Sequence, residues 1–263
     1  MPEIKVYHDQ HIHSRFSEDS KEMIWKYIKL AKKAGVSYFV TCEHVDFDPV
    51  SYDKSWICDF NKLHKRLKRV RGIKTLKGIE LGFRDDHINE MNDILSKFSF
   101  DIVQLSCHDN GKLDYYLDSS FENYPLDLDD YFDYVIKAVT TFDNFDCLSH
   151  FDYGLKSALR TNPNINIRIH EKKLKELFSA LIKKNKALEI NVKVQSGIND
   201  DEYLRYILNL YKSLGGEKLT LSSDAHQKEF YRYNFDKYMH IIKDAGFSYL
   251  MYFVERKGYK YYL

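Results

Sequence analysis

The sequence predicts an α/β fold, a closed or nearly closed (β/α) barrel of about seven strands, and three observations favour it. Short apolar runs alternate with charged, helix-like stretches along nearly the whole chain. Imidazole and carboxylate side chains follow or end six of those runs. A linear doubly wound sheet would gather such side chains from only a few neighbouring strands, whereas a ring of strands brings all the strand ends to one rim.

Each predicted strand is a short apolar run bounded by charged or turn residues. The seven strands are expected at residues 5–9, 37–42, 74–81, 100–106, 145–149, 187–191 and 218–222. Helices with one apolar face are expected at residues 20–34, 59–70, 86–98, 128–140, 169–184 and 200–214. The first helix ends before Gly35, which suits a C-cap. Two more strands, at residues 247–254 and 260–263, are expected to form a hairpin around Gly258.

Composition narrows the class of protein. The chain has 263 residues and no Pro/Gly/Ser-rich linker, so one domain over residues 1–263 is predicted. Its 40 basic and 39 acidic residues give no electrostatic argument for binding nucleic acid or a membrane. The sequence shows neither a signal-peptide core nor an apolar run of membrane-spanning length. Because the four cysteines lack CxxC spacing, a cytoplasmic protein with reduced thiols is expected.

The side chains at the strand ends are donors that transition metals bind in proteins. His11 and His13 are two residues apart in an extended segment, so both face the same side, and Asp224 and His226 repeat that spacing. Glu80 ends a β-rich run, where a buried carboxylate is costly unless it is paired or metal-bound. Further histidines follow or end other runs: His44, His108 and His150. Together they predict a polynuclear metal site at the C-terminal rim.

In chain order these motifs read HxH, S-x-D, E-H, G-I-E, C-H, S-H and S-D-A-H. Over residues 9–226 they resemble the PHP (polymerase and histidinol phosphatase) superfamily, most closely its histidinol-phosphate phosphatase branch. The resemblance implies a distorted, TIM-like (β/α)7 barrel with three divalent transition metal ions, zinc, iron or manganese, at the C-terminal rim. The implied ligands are His11, His13, Glu80 and Asp224 for the first ion, Glu80, His108 and His150 for the second, and Asp19, His44 and His226 for the third.

Asp19 has two interpretations. Some members of the family carry histidine at the matching place, and aspartate would supply a hard oxygen ligand instead. Asp19 also precedes Ser20 at a predicted helix start, where it could be a simple N-cap. We favour the ligand.

The chemistry implied by this centre is hydrolysis of a phosphomonoester. Two or three divalent ions lower the pKa of a shared water, and the bridging hydroxide attacks phosphorus in line. Glu80 is expected to be catalytic as the bridging ligand, and Asp224, His226 or a metal-bound water would protonate the departing alkoxide. The substrate phosphate should also meet a cation. The predicted cations are Arg160, in a loop beyond His150, then Arg84, then Lys193, with Lys156 as a competitor.

Acidic and aromatic segments follow His44 and His108, the second over residues 109–130. Such loops suit a small cationic alcohol phosphate with a flat ring, so with the resemblance they predict L-histidinol phosphate as substrate and a role in histidine biosynthesis. The alternatives are a broad-specificity PHP phosphomonoesterase and, less favoured, a nuclease-type PHP domain. A non-enzymatic metal module is disfavoured because structural zinc sites are closed and Cys-rich. No oligomeric state is predicted.

Overall fold

A computed structural model of the chain describes residues 4–263 and is built around one large sheet. Its strands are β1 Tyr38–Asp46, β2 Trp56–Ile57, β3 Lys74–Gly82, β4 Ile102–Ser106, β5 Cys147–Leu148, β6 Ala187–Asn191 and β7 Leu219–Ser222. They lie in the order β2-β1-β3-β4-β5-β6-β7, and every neighbouring pair is parallel except β1 with β2. The sheet curls into a distorted barrel, so the predicted fold class is confirmed.

Helices surround this sheet and cover its outer face. In the described part of the chain they are α1 Ile24–Lys33, α2 Phe60–Leu67, α3 Ile88–Lys97, α4 Leu126–Thr141, α5 Tyr153–Thr161, α6 Glu171–Lys183, α7 Val192–Ile198, α8 Asp201–Ser213 and α9 Phe235–Asp244. In α1 the buried residues are Ile24, Tyr27, Ile28 and Ala31, the spacing of one helical face. All nine residues of β1 are buried, as expected of a parallel strand with both faces covered.

The segment 11–13 closes the gap between the two ends of the curled sheet. On one side Cys42 N–H donates to the Ile12 carbonyl at 2.9 Å. On the other, His13 N–H donates to the Ala225 carbonyl at 2.9 Å, and Asp224 N–H donates to the His11 carbonyl at 2.8 Å. Two histidines are therefore held by backbone hydrogen bonds between β1 and the end of β7.

The first predicted strand, at residues 5–9, is wrong. Those residues form no strand, and the chain reaches the sheet only at Ile12, which makes an isolated parallel bridge with Ala225. The seventh strand of the sheet is instead β2, which pairs antiparallel with β1 and was not predicted because it has only two residues. The other six predicted strands overlap β1 and β3 to β7.

Three helices, α5, α7 and α9, were not predicted. Two of them contain a glycine, which weakens a helical pattern, whereas α9 has an apolar face that the sequence prediction missed, formed by Phe235, Tyr238, Ile241 and Ile242. The terminal hairpin is present as β8 Tyr249–Val254 and β9 Lys257–Tyr262. Its turn is at Glu255 and Arg256, both with positive φ, rather than at Gly258. Asp101 holds this turn, since it accepts both backbone N–H groups at 2.9 Å.

No helix among residues 4–263 combines the length and apolarity that spanning a membrane requires. All four cysteines, Cys42, Cys58, Cys107 and Cys147, are free and buried. Burial raises the pKa of each of these thiols, so they are held as neutral groups in the core.

Candidate metal centre

The C-terminal ends of the parallel strands meet at one rim and carry most of the predicted ligands. His44 lies in β1 and Glu80 in β3, and other ligands follow β4, β5 and β7. The closing segment 11–13 supplies two histidines, and the loop before α1 supplies Asp19. All nine predicted side chains come together in four groups, within each of which the donor atoms lie within 4.8 Å of one another. These groups are His13, Asp19, His44 and His226; His11, His13 and Asp224; His11, Glu80 and His150; and His44, Glu80 and His108.

Glu80 lies at the centre of the cluster, and its two oxygens face different histidines. Oε2 is 3.2 Å from Nε2 of both His11 and His13. Oε1 is 2.7 Å from Nε2 of His150 and 3.1 Å from Nε2 of His108. Burial alone raises the pKa of Glu80, but the surrounding imidazoles hold it well below its ordinary value. An ionised carboxylate with each oxygen in a different set of imidazoles has the geometry of a bridging ligand.

Several buried polar atoms in the cluster have no hydrogen-bond partner among the described residues. They include Nε2 of His11, Nε2 of His13, Nδ1 of His44 and Oε2 of Glu80. Unsatisfied buried polar atoms are costly and rare in folded proteins. Four of them facing one point, on nitrogen and oxygen donors, fit the ligand set of a bound transition metal.

Asp224 adopts a backbone conformation that L-residues rarely take. Its φ is 52°, in the left-handed region, and its N–H is tied to the His11 carbonyl. This geometry places Oδ1 3.3 Å from Nε2 of His13 and 4.0 Å from Nε2 of His11. Burial alone raises the pKa of Asp224, but Lys193 and His11 hold it well below its ordinary value. Backbone strain of this kind is found most often at active sites and ligand-binding sites.

Asp19 faces histidines rather than a helix end. Its Oδ2 is 2.7 Å from Nε2 of His226 and 3.6 Å from Nε2 of His44. Helix α1 begins later, at Ile24, with Met23 as its N-cap, so the alternative that Asp19 caps this helix is wrong. Burial raises the pKa of Asp19, but His226 and His44 together lower it well below its ordinary value.

Buried carboxylates lie behind the histidines and orient their rings. Glu189 Oε1 accepts a hydrogen bond from Nδ1 of His11 at 2.8 Å, and Asp46 Oδ1 accepts one from Nδ1 of His108 at 2.7 Å. When Nδ1 carries the hydrogen, the lone pair of Nε2 is available to a metal ion beside Glu80. A carboxylate–histidine pair of this kind fixes the tautomer and raises the basicity of a metal ligand.

His13 is oriented in the same way through a hydroxyl. Nδ1 of His13 lies 3.2 Å from Ser17 Oγ, which in turn donates to Glu43 Oε2 at 2.7 Å. Burial, together with His44 and His226, lowers the pKa of His13 to about 4. Its ring is therefore neutral at physiological pH, which is the form that binds a metal ion.

The sequence prediction assigned no role in the site to Glu43, Asp46 or Glu189. Asp46 lies two residues after His44 in β1, so the period of a strand places both side chains on one face. Glu189 is the central residue of strand β6, between Leu188 and Ile190, and all five residues of that strand are buried. The sequence signal that could have identified Glu189 is an acidic residue inside a predicted buried strand, because a buried carboxylate needs a polar or charged partner.

We expect the Glu189→Gln substitution to weaken zinc binding by about 10- to 100-fold, since removal of the carboxylate lowers the basicity of His11. A competition titration with a chromophoric chelator measures this affinity. Glu202→Gln is the matched control, because it makes the same chemical change on a side chain that is 89% exposed. Equal zinc affinities for the two variants would contradict the role assigned to Glu189.

A cavity of about 410 Å³ opens above the cluster and contains two lysines, Lys156 and Lys193. Lys193 Nζ is 3.4 Å from Asp224 Oδ1 and 3.1 Å from Nδ1 of His226. Lys156 Nζ lies over the ring of Tyr153, 4.8 Å from its centre. Seven predicted ligands also line this cavity: Asp19, His44, Glu80, His108, His150, Asp224 and His226.

The two arginines that the sequence placed first as phosphate ligands do not line this cavity. Arg84 is buried, and its guanidinium donates to Asp86 and Asp109 and to two backbone carbonyls of the loop after β1. Arg160 lies on α5, not in a loop as predicted, and it donates to Asp118 and the Tyr116 carbonyl. The structure therefore favours Lys193, the third predicted cation, together with Lys156.

An acidic and aromatic wall lines the same cavity as the lysines. Tyr52, from the loop after β1, and Trp56, the first residue of β2, pack with ring centres 4.2 Å apart. Asp114 and Tyr116 come from the loop after β4, and Ser51 donates a hydrogen bond to Asp114. Among residues 4–263, no lysine, arginine or histidine lies within ion-pair distance of Asp114. The two predicted substrate loops therefore meet at the cavity and present an uncompensated carboxylate.

Comparison with known proteins supports this geometry. The PHP domain family matches residues 9–193. The histidinol-phosphatase of Lactococcus lactis is 29% identical over 247 residues, 91% of each chain. A probable histidinol-phosphatase of Clostridium acetobutylicum is 27% identical over 96% of this chain and 98% of its own. The crystal structure of the L. lactis histidinol phosphate phosphatase, complexed with zinc, L-histidinol and phosphate, has a TM-score of 0.83 at 28% identity and covers 96% of this chain and 98% of that one.

Proposed function

The chain belongs to the PHP domain family, as its motifs predicted, and we propose that it is a metal-dependent histidinol-phosphatase. It would hydrolyse L-histidinol phosphate to L-histidinol and inorganic phosphate as a step of histidine biosynthesis. The observation that carries this proposal is the set of buried, unsatisfied donor atoms around Glu80, beneath a cavity that holds both lysines and an uncompensated carboxylate. The similar protein from L. lactis, which binds zinc, L-histidinol and phosphate, supports the same substrate.

The nine clustered side chains would hold three divalent ions, with Glu80 shared by two of them. Zinc is the first candidate, because the similar crystal structure contains it, and iron and manganese suit the same nitrogen and oxygen donors. When bound, such ions lower the pKa of water toward neutrality and neutralise charge on a phosphoryl group. Glu43, Asp46 and Glu189 would hold the histidine rings in position for these ions.

The lysines of the cavity would bind the oxygens of the substrate phosphate. Among residues 4–263, the ammonium group of Lys193 has polar contacts with Asp224 and His226 alone, so it could turn to bind a phosphate above the metals. Burial lowers the pKa of Lys156 to about 8, which leaves it mostly charged at neutral pH. Two ammonium groups bind phosphate as point charges, without the bidentate geometry of arginine.

Asp224 and His226 stay the proposed proton donors to the leaving alkoxide. Both line the cavity beside Lys193. Because the pKa of Asp224 is held well below its ordinary value, its carboxylate is ionised at neutral pH and must first take up a proton from water before it can donate one.

The acidic wall would select the organic half of the substrate. Histidinol carries an amine and an imidazole, and Asp114 offers a carboxylate with no other cationic partner in the described chain. We expect Asp114→Asn to lower kcat/KM for L-histidinol phosphate by about tenfold, the contribution of one charge-assisted hydrogen bond. Hydrolysis of p-nitrophenyl phosphate, which has no cation, should change by less than about twofold.

Steady-state kinetics with both substrates measures this difference. Asp53→Asn is the matched control, because Asp53 is an exposed residue of the loop after β1 that does not line the cavity. An equal loss on both substrates would contradict selection by Asp114. A wild-type protein that hydrolyses all phosphomonoesters alike would support the broad-specificity alternative instead.

We further propose that residues 1–263 act as one unit in the cytoplasm. The buried, free cysteines are compatible with a reducing compartment. The near-balanced charge gives no support to nucleic acid or a membrane as a partner, so a small phosphomonoester is the proposed ligand.

A further inference from the structure

We infer that Gly197 is a positioning residue: the space left by its missing side chain lets Lys156 extend across α7 into the cavity. This inference rests on the proposed role of Lys156 in binding the phosphate group. It explains why a glycine occupies a helical position that does not need one.

Lys156 is a cation without an anionic partner. Its ammonium group forms neither an ion pair nor a hydrogen bond with any residue from 4 to 263, and its contacts are with the rings of Tyr153 and Tyr116, at 4.8 Å and 5.7 Å from the ring centres. Cation–π contacts of this kind orient an ammonium group without neutralising it. The group is therefore available to an anion in the cavity that it lines.

The aliphatic part of Lys156 crosses Gly197 of α7. A Cβ atom at Gly197 would lie 2.7 Å from Lys156 Cδ and 2.9 Å from Lys156 Cγ. Contacts below 3.0 Å essentially never occur, so one of the two groups would have to move. These two atoms are in the middle of the lysine chain, and a shift there also moves its terminal ammonium group.

The backbone gives no other reason for glycine at this position. Gly197 is absent from the residues with positive φ, and it lies within helix α7, which ends with Asn199 in the left-handed conformation. Alanine is the better helix former. The side chain of Lys156 is thus the neighbour that a larger residue at position 197 would displace.

The test uses four metal-loaded proteins: wild type, Gly197→Ala, Lys156→Met and the double variant. Methionine keeps an unbranched chain across Gly197 but removes the charge. The readouts are the dissociation constant for inorganic phosphate, by calorimetry, and the KM and kcat for p-nitrophenyl phosphate. Thermal unfolding of each variant shows whether it is folded, and Gly197→Ser serves as a second substitution with the same Cβ.

We expect Gly197→Ala to weaken phosphate binding and to raise KM by about tenfold, while kcat stays within about threefold of the wild-type value. In the Lys156→Met background, the same substitution should change phosphate binding and KM by less than about twofold. The inference is overturned if Gly197→Ala binds phosphate as the wild type does, or if it weakens binding equally in both backgrounds. Neither readout requires L-histidinol phosphate. If the protein is inactive on L-histidinol phosphate but the four variants bind inorganic phosphate as expected, the proposed function is refuted and this inference still holds.

Discussion

The Glu80→Gln variant should lose catalytic activity by a factor of about 1000 or more, equivalent to roughly 4 kcal/mol of transition-state stabilisation. The physical reason is the position of the carboxylate, whose two oxygens face two different sets of histidines at 2.7 to 3.2 Å. Glutamine has one acceptor oxygen and one NH2 group, so it cannot serve as an anionic bridge between two ions. The variant should also bind fewer metal ions per chain than the wild type.

Measuring kcat and the metal content of the same sample tests this prediction. Glu202→Gln is again the control for the chemical change, and thermal unfolding shows that Glu80→Gln is folded. A variant that keeps a tenth of the wild-type kcat with a full complement of metal would show that Glu80 is not the bridge.

Removal of the metal ions should abolish phosphatase activity and lower the melting temperature of the protein. The buried donor atoms that lack hydrogen-bond partners, such as Nε2 of His11 and Oε2 of Glu80, would gain partners from a bound ion. An ion at 1000 times its dissociation constant stabilises the native state by about 4 kcal/mol, and this contribution disappears on chelation. We expect activity to fall by at least about 100-fold and to return on addition of zinc.

Activity before and after chelation, with metal content and melting temperature recorded on the same samples, measures this effect. A gradual loss of stability with no recovery on zinc addition would indicate irreversible unfolding, which circular dichroism distinguishes. If the stripped protein kept its full rate, the metal centre would not be the catalytic site.

Much of this centre could be predicted from the sequence because its donors are local and patterned. The pairs His11 with His13, and Asp224 with His226, share a face by their spacing alone, and Glu80 ends a β-rich run. The structure brings them together because parallel strands direct their C-terminal ends to one rim.

Other features depend on contacts between segments that are distant in the sequence. Glu189 and Asp46 face histidines from other strands, and neither has a motif of its own. The sequence position of Arg84, just after the strand that ends near Glu80, suggested a phosphate ligand. In the structure its guanidinium instead donates hydrogen bonds to the loop after β1 and to Asp109. Lys156 reaches the cavity from α5, a helix that was not predicted because it contains a glycine.

The way in which the barrel closes could not be predicted from local sequence patterns either. Residues 5–9 were expected to form a strand, but the segment that joins the two ends of the sheet is the HxH motif itself, through Ile12. Its three backbone hydrogen bonds connect it to β1 and to the end of β7. Such pairing is set by the curvature of the whole sheet and not by the residues of the segment.

The most direct test of the proposed function is release of inorganic phosphate from L-histidinol phosphate by the zinc-loaded protein, measured beside p-nitrophenyl phosphate. We expect a kcat/KM for L-histidinol phosphate at least about 100-fold higher than for the aryl phosphate, and we expect this activity to be lost on chelation and restored by zinc. Equal rates on the two substrates would contradict the assigned substrate, and hydrolysis that survives chelation would contradict the metal centre itself.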